Sequence, residues 1–128
     1  MKYLWLIISL AMLFGCASTK HNWYQQIEAK EFADKADAMS DSYIIDVRTA
    51  GEYEKGHMDR AINISYLSPS FRKKIKKLDS SKPVLIYCHS MHRSPLAAKK
   101  LKRVGFPLII DLKDGFKTWR EAGLKVVK

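Results

Sequence analysis

Cys88 is the residue in this chain best placed for covalent chemistry. It lies in Tyr87-Cys88-His89-Ser90-Met91-His92-Arg93-Ser94-Pro95, between the apolar run Val84-Leu85-Ile86-Tyr87 and a Ser-Pro pair. The apolar run reads as a buried strand. Ser94 and Pro95 read as the N-cap and first residue of a helix. Cys88 is thus expected at a strand end, facing a helix N-terminus across a short loop, and such a place stabilises an anion. The thiolate is the reactive form of cysteine. The rest of the loop, His89, Ser90, Met91, His92, Arg93 and Ser94, forms the candidate substrate-binding set. Loop N–H groups converging on Cys88 would hold its negative charge. Arg93, with His89 and His92 when protonated, adds positive potential for an anionic substrate. Each has a blander reading: Arg93 as a ligand of loop carbonyls, the two histidines as exposed loop residues, and Cys88 as a buried inert thiol.

The elements around this loop alternate in type. Residues 29–38 read as a helix and 43–47 as a strand. Thr49 and Glu52 have the spacing of a capping box, opening a short helix that stops at Gly56. Residues 62–64 form a brief strand. Phe71, Ile75 and Leu78 recur at helical spacing within 69–78. The strand 83–87, a helix over 95–104, a strand over 107–111 and a helix over 116–122 follow. Strands separated by helices argue for an α/β domain whose central sheet is largely parallel, with helices on both faces. Ligand sites of such sheets lie beyond the carboxyl ends of the strands. Asp46 and Cys88 both belong at that edge. Asp46 and Arg48 are expected to be structural residues near the site, with Arg48 pairing with Glu52 and Asp46 reaching the loop N–H groups. His57 reads as a packed turn residue, since no second metal ligand stands at a helical spacing. No metal and no other cofactor is expected.

The chain has 128 residues and a formal net charge of +10. Much of the excess lies in Arg72-Lys73-Lys74, Lys76-Lys77, Lys99-Lys100 and Lys102-Arg103. These residues fall on the outer faces of the two basic amphipathic helices, so they read as solvated faces and not as a nucleic-acid site. After Met1-Lys2 the chain runs apolar from Tyr3 to Gly15, broken by Ser9. That run is short for a membrane span and has the plan of a secretory signal. Its end, Leu13-Phe14-Gly15-Cys16, resembles the bacterial lipoprotein lipobox, in which the cysteine is acylated and becomes the mature N-terminus. A plain cleaved signal or an uncleaved anchor is the alternative. On the lipobox reading, residues 1–15 are a signal peptide, Cys16 is lipidated, 16–26 are a polar tether and 27–128 are the folded domain. The expected location is the periplasmic side of a bacterial membrane, leaning to the outer membrane because Ala17 follows Cys16. Cys88 is then the one remaining thiol, which excludes an intramolecular disulfide.

Several segments together resemble the rhodanese family. Ile45-Asp46-Val47-Arg48, Glu52-Tyr53, Gly56-His57-Met58 and Ala61-Ile62-Asn63-Ile64 look like its N-terminal signature. Tyr87-Cys88 through Arg93-Ser94 looks like its active-site loop, and Asp114-Gly115-Phe116 with Trp119 like its C-terminal turn and helix. The exported single-domain form is similar to phage-shock-protein-E-type rhodaneses. The resemblance implies a sulfurtransferase. Cys88 would take a sulfane sulfur from a small anionic donor such as thiosulfate, hold it as a persulfide, and pass it to cyanide or a thiol, a protein thiol included. Three positions depart from the family's usual glycine: Arg60, Met91 and Asp114. Met91 lies inside the loop, which must either hold a methionine at positive φ or turn one N–H away. Two other functions compete. A cysteine phosphatase or arsenate reductase needs Cys-x5-Arg, whereas Arg93 follows Cys88 after four intervening residues. A membrane-anchored module that binds persulfides or thiols without turnover needs only the loop.

Overall fold

A computed structural model describes residues 22–128. The expected signal peptide and the expected lipidation at Cys16 fall outside the described residues.

Five parallel strands form one sheet in the order β1-β5-β4-β2-β3. They are β1 (Tyr24–Ile27), β2 (Tyr43–Asp46), β3 (Ile62–Asn63), β4 (Val84–Tyr87) and β5 (Ile109–Leu112). The central strands β2, β4 and β5 are almost wholly buried, as expected for a parallel sheet covered on both faces. Side chains alternate between those faces. On one side Ile44, Leu85, Tyr87, Ile110 and Leu112 meet Phe32 and Ala36 of α1 (Ala29–Ala38) and Phe116 and Trp119 of α5 (Phe116–Glu121). On the other, Ile45, Val84, Ile86, Cys88 and Ile109 meet Phe71 and Ile75 of α3 (Phe71–Ile75) and Ala97, Ala98 and Leu101 of α4 (Ser94–Arg103). The short α2 (Ala50–Glu54) carries no buried residue. Thr49 caps it as expected: its hydroxyl accepts the Glu52 N–H, and the Glu52 carboxylate accepts the Thr49 N–H.

Four expectations need correction. Residues 24–26, read as tether, belong to an edge strand, which pairs Tyr24–Ile27 with Ile109–Leu112. Tyr-Gln-Gln-Ile has no clean apolar alternation, because an edge strand has a partner on one side only. The helix expected to reach residue 78 ends at Ile75, and its last turns tighten to Lys77 N–H to Lys74 O and Leu78 N–H to Ile75 O. Strand β5 begins at Ile109, two residues after Pro107, which has no N–H for the ladder. Finally, Ser94 is the first residue of α4 and not its cap. Its side chain makes no capping bond and contacts Cys88 instead.

Three non-glycine residues have positive φ: Arg60 (64°), Met91 (82°) and Asp114 (58°). They are the same three positions at which the sequence departs from the family's glycine. The backbone is left-handed at each of them although none is glycine. Arg60 uses its position, donating to Ala36 O and Ser40 O at the end of α1.

Candidate active site

Cys88 directly follows β4 at the carboxyl edge of the sheet and is fully buried. The Met91 N–H donates to Cys88 Sγ at 3.1 Å. Met91 therefore stays at positive φ and keeps its N–H on the sulfur, a strain of about 1–2 kcal/mol for an L-residue. Its thioether lies 3.9 Å from Ser94 Oγ, and Ser94 Oγ lies 3.5 Å from Cys88 Sγ. Buried Ser94 thus stands between the sulfur and the first turn of α4, whose N-terminal end adds positive potential at the sulfur.

The loop is fastened from two sides. From α5, Phe116 N–H donates to Cys88 O at 2.7 Å and Lys117 N–H to His89 O at 3.2 Å. This approach depends on Gly115, at φ 76° and ψ −167°. A Cβ there would sit 2.3 Å from His89 O and 2.6 Å from Ser90 N. From α2, Glu52 takes both ends of the Arg93 guanidinium, at 2.6 and 3.0 Å. Arg93 is therefore neither a ligand of loop carbonyls nor a free cation for substrate; it ties the loop to α2. The Arg93 bonds hold the Glu52 carboxyl down at about 2, against the opposing effect of burial and with help from Thr49.

Asp46 and Arg48 form a buried pair of their own. Arg48 Nη2 lies 2.6 Å from Asp46 Oδ2 and donates to Gly56 O at 2.7 Å, and Arg48 N–H donates to Asp46 Oδ1. The guanidinium stacks 4.1 Å over the Phe116 ring. Arg48 thus pairs with Asp46 and not with Glu52, and the Asp46 side chain bonds Arg48 rather than the loop N–H groups. The two-residue spacing closes a compact ring that the more distant Glu52 cannot form while it holds Arg93. Both residues are buried, and through Arg48 the pair packs against Phe116 of α5, whose N–H bonds Cys88 O.

His89 and His92 are exposed, and Ser90 is half-buried. His57 stacks on Tyr53 at 3.6 Å, with Nδ1 2.9 Å from Tyr53 O, a packed turn residue as expected. A cleft of about 340 Å³ opens beside His89, lined by Arg48, Glu52, Lys55, Phe116 and Arg120. Lys55 and Arg120 are exposed there and give the cleft a positive rim. Nothing in the local sequence marks Lys55 or Arg120 as a rim, Gly115 as an anchor or Glu52 as the partner of Arg93. The signal for Glu52 was present in the capping box, but nothing in its spacing revealed a second use.

The rhodanese-like domain model matches residues 27–122. The chain belongs to the rhodanese-like domain family. A rhodanese-related protein of Thermoplasma volcanium superposes with a TM-score of 0.69 at 31% identity, covering 81% of this chain and 98% of that one. The thiosulfate sulfurtransferase GlpE of Coxiella burnetii is 35% identical over 100 residues, 76% of this chain and 88% of GlpE. The putative sulfur carrier protein YrkF of Bacillus subtilis is 32% identical over 94 residues, 73% of this chain. The chain spans half of YrkF's length. In this rhodanese-like domain Cys88 occupies the buried strand-end loop, with the Met91 N–H on its sulfur.

Proposed function

We propose that this rhodanese-like domain is a sulfurtransferase that carries a sulfane sulfur on Cys88. The observation that carries the reading is the Met91 N–H on Cys88 Sγ, kept at the expense of a left-handed methionine. A loop that spends strain to aim a donor at a sulfur stabilises charge there. The GlpE relative, a thiosulfate sulfurtransferase, supports the donor class.

In the first half-reaction the Cys88 thiolate attacks the outer sulfur of thiosulfate. A new S–S bond forms, the donor's S–S bond breaks, and sulfite leaves with the bonding pair. The sulfur remains as a persulfide anion, so the site carries one negative charge before and after. In the second, cyanide or a thiolate attacks the outer persulfide sulfur, and Cys88 departs as the thiolate. A covalent carrier splits one transfer into two easier steps. The positive rim of Lys55 and Arg120 draws anionic donors toward the loop. Arg93 is held by Glu52, which argues against a phosphatase, where the loop arginine must face the oxyanion.

We further propose that Cys16 anchors the domain by lipid to the periplasmic face of a membrane. Two experiments test these readings. Thiocyanate formation from thiosulfate and cyanide should disappear in Cys88→Ser, while p-nitrophenyl phosphate is left untouched by the wild type. Phosphatase turnover without thiocyanate formation would reverse the assignment. Metabolic labelling with a fatty-acid analogue should mark the wild type and not Cys16→Ser; an unlabelled, freely soluble wild type would remove the anchor.

A further inference from the structure

Two helices on one face of the sheet carry most of the chain's excess charge, and the transfer chemistry uses none of it. The α3 segment with the turns after it (residues 71–78) and α4 both pack on the sheet, through Phe71, Ile75, Ala97, Ala98 and Leu101. Their outer sides hold nine basic residues, five between Arg72 and Lys77 and four between Lys99 and Arg103, and no acidic one. The rest of residues 22–128 has twelve basic and thirteen acidic residues, so it is close to neutral. All nine cations are exposed except the half-buried Lys100. Six ion pairs join charged side chains among the described residues, and none involves this face. Asp79, the nearest acid along the chain, accepts from Ser81 instead. On the opposite face α1 presents Glu31, Asp34 and Asp37. A surface this one-sided repels a copy of itself and attracts an extended anionic surface.

Charge is joined here by a phosphate-sized cleft and by exposed apolar side chains. Arg72 of α3 and Lys100 and Arg103 of α4 line a cleft of about 170 Å³ with Val104. Guanidinium forks match phosphate oxygens in pairs, and neither arginine is bound to a carboxylate among the described residues. Leu96, in the first turn of α4, stands at helical spacing from Lys99, Lys100 and Arg103. Leu67, just before α3, and Leu96 are the two most exposed large apolar side chains among the described residues. Leucines beside long-stemmed cations suit the boundary between lipid headgroups and acyl chains. The aromatic rings of this face, Trp23, Tyr66 and Phe71, lie under Lys102 and Lys100 rather than open to a nucleic-acid base. We propose that the α3/α4 face docks the domain on the surface of a bilayer containing anionic phospholipid, with a headgroup phosphate in the cleft of Arg72, Lys100 and Arg103.

The chain enters the described domain on this same face. Lys102 Nζ lies 4.4 Å over the Trp23 ring, and Trp23 packs against the buried cluster beneath α4. The stretch from Cys16 to Asn22 spans about 20 Å at most when fully extended, and a domain of this size is roughly 30 Å across. An anchor at Cys16 would therefore hold the α3/α4 side toward the bilayer rather than α1 and α5. The docking does not require that anchor. Each lysine or arginine near an anionic lipid surface raises partitioning about fivefold by itself.

Lysine acetylation reads the docked face directly. The full chain, purified from a bacterial host, is mixed with vesicles of phosphatidylcholine alone or of phosphatidylcholine and phosphatidylglycerol in equal parts. Accessible lysines are then acetylated and identified by mass spectrometry. On anionic vesicles in low salt, Lys73, Lys77, Lys99 and Lys102 should be protected severalfold, while Lys30, Lys117 and Lys125 are not. That protection should vanish in about 1 M salt, where the Debye length is about 3 Å. In Lys73→Gln/Lys99→Gln/Lys102→Gln the ratio of partitioning onto anionic over neutral vesicles should fall on the order of 100-fold. Equal labelling of the two lysine sets on anionic vesicles, or the same protection on neutral vesicles, would overturn the proposal. Protection by single-stranded RNA and not by vesicles would assign the face to a nucleic acid and overturn it too. If the triple variant does not fold, the wild-type labelling pattern still decides. A failed Cys16 anchor is read separately, as a chain that does not sediment with neutral vesicles.

Discussion

Gly115→Ala isolates the contact that fastens the active-site loop. A Cβ at residue 115 would lie 2.3 Å from His89 O and 2.4 Å from His89 C, both backbone atoms. Ordinary van der Waals contact begins near 3.4 Å, so loop and α5 must separate by about 1 Å. The backbone at φ 76° and ψ −167° lies in a region essentially reserved for glycine, at a cost of order 1–3 kcal/mol for alanine. Overpacking adds roughly 1–3 kcal/mol. The expected destabilisation is therefore about 2–6 kcal/mol, a large part of a small domain's total of about 5–15 kcal/mol. In molecules that remain folded, the bonds from Phe116 and Lys117 to Cys88 O and His89 O are stretched. A displacement of about 1 Å costs on the order of 100-fold in rate. Gly51→Ala is the internal control: nothing lies within 4 Å of its Cβ, and alanine in that helix is expected to stabilise by roughly 0.5–1 kcal/mol. Urea denaturation and thiosulfate:cyanide turnover of both variants make the comparison. A Gly115→Ala protein with wild-type stability and turnover would refute the idea that α5 sets the loop.

Met91→Gly should relieve about 1–2 kcal/mol of left-handed strain against roughly 0.5–1 kcal/mol of glycine entropy, leaving a small net gain in urea denaturation. Steady-state kinetics should show equal or higher turnover and wider acceptor choice; lower turnover with cyanide, a small thiol and a bulky thiol alike would make the methionine side chain part of the working site. Glu52→Gln frees Arg93, with a loss of about 1 kcal/mol of loop ordering, or roughly fivefold in turnover. Because the Glu52 carboxyl is held down at about 2, its contribution is full above its ordinary value of 4.5 and disappears as pH falls toward 2, so stability of Glu52→Gln should lose less on acidification than wild type. Asp111 is buried without a cation beside it. Its folded pKa is raised from 3.8 to about 7, so the native state binds more protons and stability falls as pH rises through that window, by up to the order of 4 kcal/mol. Asp111→Asn should flatten that dependence in chemical denaturation; an unchanged slope would mean that Asp111 is ionised throughout.

Much of the architecture is written in local patterns. The apolar runs of β2, β4 and β5 are strands buried on both faces, and Thr49 with Glu52 marks the start of α2 through its capping box. Cys88 was identifiable because a strand end, a loop and a Ser-Pro helix start occur in order within nine residues. What escaped is non-local. Whether Arg48 chooses Asp46 or Glu52 depends on where Arg93 lies, 41 positions from Glu52. Strand β1 exists because β5 offers it an edge, and Tyr-Gln-Gln-Ile carries little strand signal alone. Asp111 looks like a strand-end polar residue in sequence, because its contact with Tyr24 spans 87 positions. Gly115 shows its role only when His89 is packed against it.

The central claim, that Cys88 carries sulfur, is tested most directly by mass spectrometry after thiosulfate treatment without an acceptor. The account predicts a gain of about 32 Da, one sulfur atom held in a covalent intermediate, on the peptide containing Cys88. The gain should vanish on adding cyanide and never appear in Cys88→Ser. An unmodified Cys88 peptide in a protein that still turns over thiosulfate, or turnover that survives Cys88→Ser, would contradict it.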